Sequence, residues 1–352
     1  MNSRFIVFNL QDAMKIHVYM ILINRHFKPI FKTSILLKGV LFMMFCFSVV
    51  SCSKTKNQRA VLAFEMQSLL GEGALWDSEK EVLYWVDIDG EKLHIYTPKT
   101  NENRTLVMPS KPGTVVPIDS TYVLVALEDG IHRVNTTSGS TTPFVNMAAD
   151  LVGSRLNDGK CDPSGRLWVG SMHFDQLPQK ANLFLVDSSR TVTIKKDRIT
   201  ISNGIVWTAD KKTMYFIDTP TLEIKGYDYN DTTGEISNER VAVKVDSSLG
   251  FPDGMTIDEE DMLWVGMWNG NAVVRFNPIT GNVDRKIEVP AHNVTSCAFG
   301  GDDLATLYIT TAREDMTLEE LNENPLSGSV FKVIPGVRGV KSNFFGQSNH
   351  SK

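Results

Sequence analysis

The chain has 352 residues, with 36 Lys and Arg against 41 Asp and Glu and a formal charge of −5. That balance supplies no basic footprint for nucleic acid. The chain holds no Gly-x-Ser-x-Gly elbow, phosphate loop or dinucleotide fingerprint in a suitable context, so serine-hydrolase and nucleotide-dependent chemistry have no anchor.

The first stretch reads as a targeting segment. Lys38 precedes the apolar run Gly39 to Val50, which is too short and too abruptly followed by polar residues for an ordinary spanning helix. Val49-Val50-Ser51-Cys52 resembles a bacterial lipoprotein cleavage site, with Cys52 as the lipidated first residue. A buried strand or an uncleaved anchor is the competing reading, and translation starting nearer Met14 or Met20 would shorten the long upstream extension. The expected organisation is therefore a signal and upstream segment at 1–51, a lipidated N-terminus and tether at 52–65, and one folded domain at 66–345. The expected location is the bacterial cell envelope, periplasmic or surface-exposed, with membrane contact only through the anchor.

The folded part reads as short strands rich in aromatic and β-branched residues, separated by Asp, Gly and Pro. Leu69 to Asp77, Val82 to Asp87 and Lys92 to Tyr96 open a first unit; Gly113 to Ile118, Tyr122 to Ala126 and Gly130 to Val134 form a second. The third starts near Arg155 and runs through Asp187, the fourth begins at Asn203 and the fifth at Asp253. Val294 to Phe299, Leu307 to Thr311 and Gly328 to Val333 make the last, and the polar insert from Glu314 to Leu326 suits a loop or short helix. Asn157 to Asn203 spans 46 residues and Asn203 to Asp253 spans 50. Such a period built from short strands predicts an all-β fold, a six-bladed β-propeller, with one outer strand supplied from the other end of the chain to close the ring.

Radial repetition brings the starts of inner strands together, and four of these starts carry Glu72, Asn157, Asn203 and Asp253. Each alone suits a turn or cap. As a set, oxygen ligands from Glu, Asn and Asp suit a hard cation such as Ca²⁺, and no local His/Cys cluster favours structural zinc. Cys161 and Cys297 lie in strand contexts, have no CxxC partner and read as buried free thiols. Trp76, Trp85, Trp168, Trp207 and Trp264 recur with the strands and read as packing residues.

Gly71-Glu72-Gly73, Arg155-Leu156-Asn157-Asp158-Gly159, Ser202-Asn203-Gly204 and Pro252-Asp253-Gly254-Met255 stand in the order of the motifs of the SMP-30/gluconolactonase, or regucalcin-like, family, which the chain closely resembles over residues 69–336. The resemblance implies a six-bladed propeller with one divalent metal in its central channel, Ca²⁺ foremost and Zn²⁺, Mn²⁺ or Mg²⁺ as alternatives. It places the metal ligands at Glu72, Asn203 and Asp253, and substrate contacts at Arg155 and Asn157. A further acidic contact of some members falls on Asp175, where the residue is Asp in place of Glu. The implied activity is hydrolysis of a small sugar lactone to its aldonic acid, with Asp253 guiding or deprotonating the water.

Two other readings stay open on the same residues. One is an organophosphate or aryl-ester hydrolase using the same metal, since carbonyl and phosphoryl oxygens are both polarisable. The other is a cation- or ligand-binding propeller without turnover. Asp158 is expected to shape its loop through backbone hydrogen bonds. His173 and His292 are secondary candidates near the channel, His94 and His132 read as packing residues, and Arg313 with Glu314 could line the channel mouth.

Overall fold

A computed structural model describes residues 58–347. The apolar run before Val50, the cleavage site and Cys52 lie outside the described residues. Six antiparallel sheets follow one another along the chain, each beginning with its innermost strand, and form a six-bladed β-propeller. The inner strands are Gly71–Asp77, Thr114–Pro117, Ser154–Cys161, Ser202–Trp207, Phe251–Ile257 and Asn293–Gly300.

The ring closes as expected of a propeller, with a strand from the start of the fold. Val61–Phe64 pairs antiparallel with Val330–Val333 and completes blade 6. Gln58–Arg59 adds a parallel fifth strand to blade 5, against Ile287 and Glu288. Residues 58–64 are thus sheet, where composition alone reads part of a tether at 52–65. The reason is the edge: without them the last strands of blades 5 and 6 would present unpaired backbone groups. At the other end, the C-terminal tail crosses the face opposite the inner-strand starts. There the Phe345 amide donates to Pro117 O at 2.8 Å, Gly346 to Gly165 O at 2.8 Å, and Asn343 Nδ2 to Cys161 O at 3.1 Å.

Aromatic side chains join neighbouring blades. Trp76 of blade 1 stacks on Tyr308 of blade 6 at 5.6 Å; Trp168 of blade 3 meets Trp207 of blade 4 edge-on at 5.9 Å; Trp264 of blade 5 meets Phe299 of blade 6 at 5.7 Å. All five tryptophans assigned to packing are buried, and Cys161 and Cys297 are buried free thiols. In the insert after blade 6's second strand, a helix at Leu318–Glu323 starts on a capping box formed by Thr317 and Glu320.

His94 shows what these sheets cost a titratable group. Its ring stacks on Trp85 at 4.0 Å, and Nδ1 lies 3.0 Å from both Asn103 Nδ2 and Thr105 Oγ1. Burial, aided by Lys92, pushes its pKa down to about 4. The unfolded chain therefore takes up this proton below about pH 6.5, whereas the folded chain resists it until about pH 4. Stability is lost as pH falls through that window. Between pH 7 and 5 the His94→Phe variant is expected to lose about 2 kcal/mol less than the parent in urea titrations. Equal losses would contradict the assignment.

Candidate active site and cation site

The functional side chains stand where the inner strands slip out of register with their neighbours. The slips fall between Glu72 and Leu75, Leu156 and Gly159, Ser202 and Ile205, Pro252 and Met255, and Val294 and Cys297. A bulge adds a residue without a ladder partner and re-aims the strand. Glycine beside Glu72, Asn203 and Asp253 suits this crowding. A Cβ on Gly204 would lie 2.5 Å from Met255 Cβ, and one on Gly254 would lie 2.6 Å from Ser296 Oγ. The inner strand of blade 2 pairs without a slip, and its Thr114 hydroxyl is spent on Gly159 O at 3.0 Å.

The result is a cavity of about 280 Å³ lined by Glu72, Arg155, Asn157, Asn203 and Asp253. Ile201, Pro220, Phe251 and Trp268 give it an apolar side, while Glu314 and Asp315 contribute charge. Its hydrogen bonds form a chain. Arg155 Nη1 donates to Asn157 Oδ1 at 2.6 Å, and Asn157 Nδ2 donates to Ser202 O at 2.7 Å and to Asn203 Oδ1 at 3.1 Å. Asn203 Nδ2 donates to the Thr219 hydroxyl at 2.7 Å, which donates to Pro252 O at 2.8 Å. Thr219 thereby fixes the Asn203 amide with its oxygen turned toward Asn157 and its nitrogen away.

Glu72 and Asp253 are both buried, line the same cavity and act on one another's proton affinity. Burial, then the nearby Asp158, pushes Glu72 up to about 8; burial, then Glu72 and Asp158, holds Asp253 well above the usual carboxylate range. Asp158 is itself raised by burial, and as expected its Oδ1 accepts from the Gly159 amide, at 2.8 Å. Two carboxylates held together out of water fit a cation: the charge they lack is the charge a divalent ion supplies. The donor set is all oxygen, as a hard ion requires. Among the described residues no group of three His, Cys, Asp or Glu side chains converges, so the candidate set is two carboxylates and the Asn203 amide.

Asp175 stands apart. Its side chain is 81% exposed and lies 3.8 Å from His173 Nδ1, a nitrogen that also accepts the Asp175 amide at 3.1 Å. The next residue, Gln176, lines the cavity instead. His292 faces Glu320 at 3.6 Å, and His132 pairs with Asp129 at 2.7 Å. Arg313 turns toward Ser327 O at 3.3 Å, leaving Glu314 at the mouth. Thr219, Gln176, Trp268 and Asp315 were not legible as site residues. Trp268 is the last residue of its strand and the other three sit just past strand ends, where loop geometry decides direction.

The sequence pattern of the SMP-30/Gluconolactonase/LRE-like region matches residues 70–313, and the chain belongs to that family. The sugar lactone lactonase candidate YvrE of Bacillus subtilis is 40% identical over 275 residues, covering 78% of this chain and 94% of its own. Xenopus laevis regucalcin is 33% identical over 282 residues, covering 78% and 94%. Among solved structures, the calcium-binding protein regucalcin of Agrobacterium tumefaciens superposes with a TM-score of 0.79 at 28% identity, covering 82% of this chain and 98% of that one. A luciferin-regenerating enzyme superposes with a TM-score of 0.76 at 29% identity, covering 82% and 100%.

Proposed function

We propose that this chain hydrolyses a sugar lactone to its aldonic acid, using one divalent cation, Ca²⁺ foremost, held by Glu72, Asn203 and Asp253. The observation that carries the reading is the convergence of two buried carboxylates and an oriented amide oxygen beside Arg155 and Asn157. The names of the 40% identical lactonase candidate and of the calcium-binding structural relative support both halves of it.

A cation bound to these oxygens supplies polarisation of the lactone carbonyl. Arg155 and Asn157 donate hydrogen bonds that orient the ring and its hydroxyls. Burial keeps Asp253 more basic than an ordinary carboxylate, which offsets the acidifying effect of a nearby cation. Asp253 takes a proton from the attacking water as the oxygen adds to the carbonyl carbon. It returns that proton to the ring oxygen as the ring C–O bond breaks. The aldonic acid then ionises, so each turnover releases one proton.

That proton is the assay. Acid release from glucono-, galactono-, xylono- and arabinonolactone, measured by pH-stat on chelator-treated protein and after return of Ca²⁺, Zn²⁺, Mn²⁺ or Mg²⁺, should show cation-dependent turnover of at least one lactone. The apolar side of the cavity, with Phe251 and Trp268, favours including phenyl acetate and an aryl phosphotriester. Turnover of those alone would replace the lactone reading with the esterase one; no turnover by folded, cation-bound protein would leave a binding propeller. Cys52 and the segment before it support an envelope-anchored form, and labelled palmitate incorporation abolished in Cys52→Ala would test it.

A further inference from the structure

The cavity carries a charge imbalance that ring opening does not use. Glu314 lines it from the loop after blade 6's second strand, and its backbone is fixed there. The Glu314 amide donates to Leu69 O at 2.9 Å, and its carbonyl accepts from Asn293 Nδ2 at 2.8 Å. The Asp89 carboxylate, which accepts from Lys111 Nζ at 2.8 Å, acts electrostatically on that of Glu314. Glu314 is also first among the carboxylates acting on the buried Arg155. It is therefore a placed group of the wall, not a solvated surface acid.

Four carboxylates line the cavity, Glu72, Asp253, Glu314 and Asp315, against the single guanidinium of Arg155. A divalent ion together with Arg155 adds three positive charges to four negative ones, so the loaded site keeps a net charge of about −1 when all are ionised. A ligand bringing its own anion enters against that field. The aldonate formed by hydrolysis leaves with it.

The geometry points to Glu314 as a charge-selecting residue, which discriminates against lactones carrying a carboxylate or phosphate and weakens retention of the anionic product. This rests on the lactone reading of the cavity. It assigns Glu314 no part in bond breaking, since selection here acts by repulsion.

A matched pair of substrates isolates the charge. D-glucono-1,4-lactone and D-glucaro-1,4-lactone share the ring and differ in a hydroxymethyl against a carboxylate. Burial, Asp89 and Asp315 push Glu314 up to about 7, so the comparison is made at pH 8 with the Ca²⁺-loaded full chain. The parent is expected to prefer the neutral lactone in kcat/KM. Glu314→Gln should narrow that preference about tenfold, chiefly through KM for the anionic lactone, and Glu314→Asp should restore it. Calorimetric binding of D-gluconate reads the same selection without turnover and should tighten about tenfold in Glu314→Gln. An unchanged substrate ratio and unchanged gluconate binding, in protein that still hydrolyses the neutral lactone, would overturn the inference. Hydrolysis of neither lactone with gluconate binding still tightened would remove the lactonase reading and leave the charge selection standing.

Discussion

Asp253→Asn is expected to lower lactone kcat/KM by about a thousandfold or more, while the cation-free chain unfolds at a higher temperature than its parent. The first effect follows from losing a cation oxygen's charge and the proton acceptor together. The second has a separate cause. Burial, Glu72 and Asp158 raise the proton affinity of Asp253 in the folded chain above that in the unfolded one. At neutral pH the unfolded carboxylate ionises freely and the folded one does so against that penalty, so an amide of the same shape relieves the fold. Opposite movements of activity and unfolding temperature separate a functional loss from a folding defect. A variant that lost both together would point to a structural role for Asp253.

The largest stability effect is expected at Asp258, remote from the chemistry. This fully buried carboxylate accepts from Trp264 Nε1 at 2.8 Å and Arg275 Nε at 2.7 Å, and from the amides of Glu260 and Met262 at 2.9 and 3.0 Å. Arg275 is only 4% exposed at its side chain. Arg275 keeps Glu260 at 2.5 Å and Asp284 at 2.8 Å, so Asp258→Ala takes the acceptor from the Trp264 N–H, from Arg275 Nε and from two turn amides at once, and should cost about 3 kcal/mol in denaturant unfolding. Blade 3 repeats the device, with Asp162 accepting from Trp168 Nε1 at 2.9 Å and Arg166 Nε at 2.7 Å. Blade 1 does not. Asp77 Oδ1 accepts only the Glu79 and Lys80 amides, at 2.9 and 3.1 Å, and its Oδ2 has no partner among the described residues. Asp77→Ala should therefore cost much less, and equal losses at Asp77 and Asp258 would contradict the account of this turn.

The contrast between these aspartates shows how far the sequence is legible. The Asp-rich turn and following Trp are visible as a repeat, and so is the polar-glycine signature at Glu72, Asn203 and Asp253. Both are backbone demands: a bulge near a crowded axis selects glycine, and a buried turn selects a carboxylate that satisfies several amides. Such demands recur with the blade and survive as a period. The rim obeys no period. Asp175 and Gln176 are adjacent in one loop, and only the turn that gives the Asp175 amide to His173 sends the first outward while the second reaches the cavity. Glu314 could be suspected at the mouth but not weighed, because its burial depends on backbone bonds to Leu69 and Asn293 from distant parts of the chain. Residues 58–64 look like tether because their composition is mixed; the open edges of blades 5 and 6 recruit them.

The most direct test is a calorimetric Ca²⁺ titration of chelator-treated chain, run beside lactone acid release at each point of the same titration. The account predicts one ion per chain, activity that rises with occupancy along a single curve, and loss of both in Glu72→Gln. Full activity in the cation-free protein, or Ca²⁺ binding untouched by Glu72→Gln and Asp253→Asn, would contradict it.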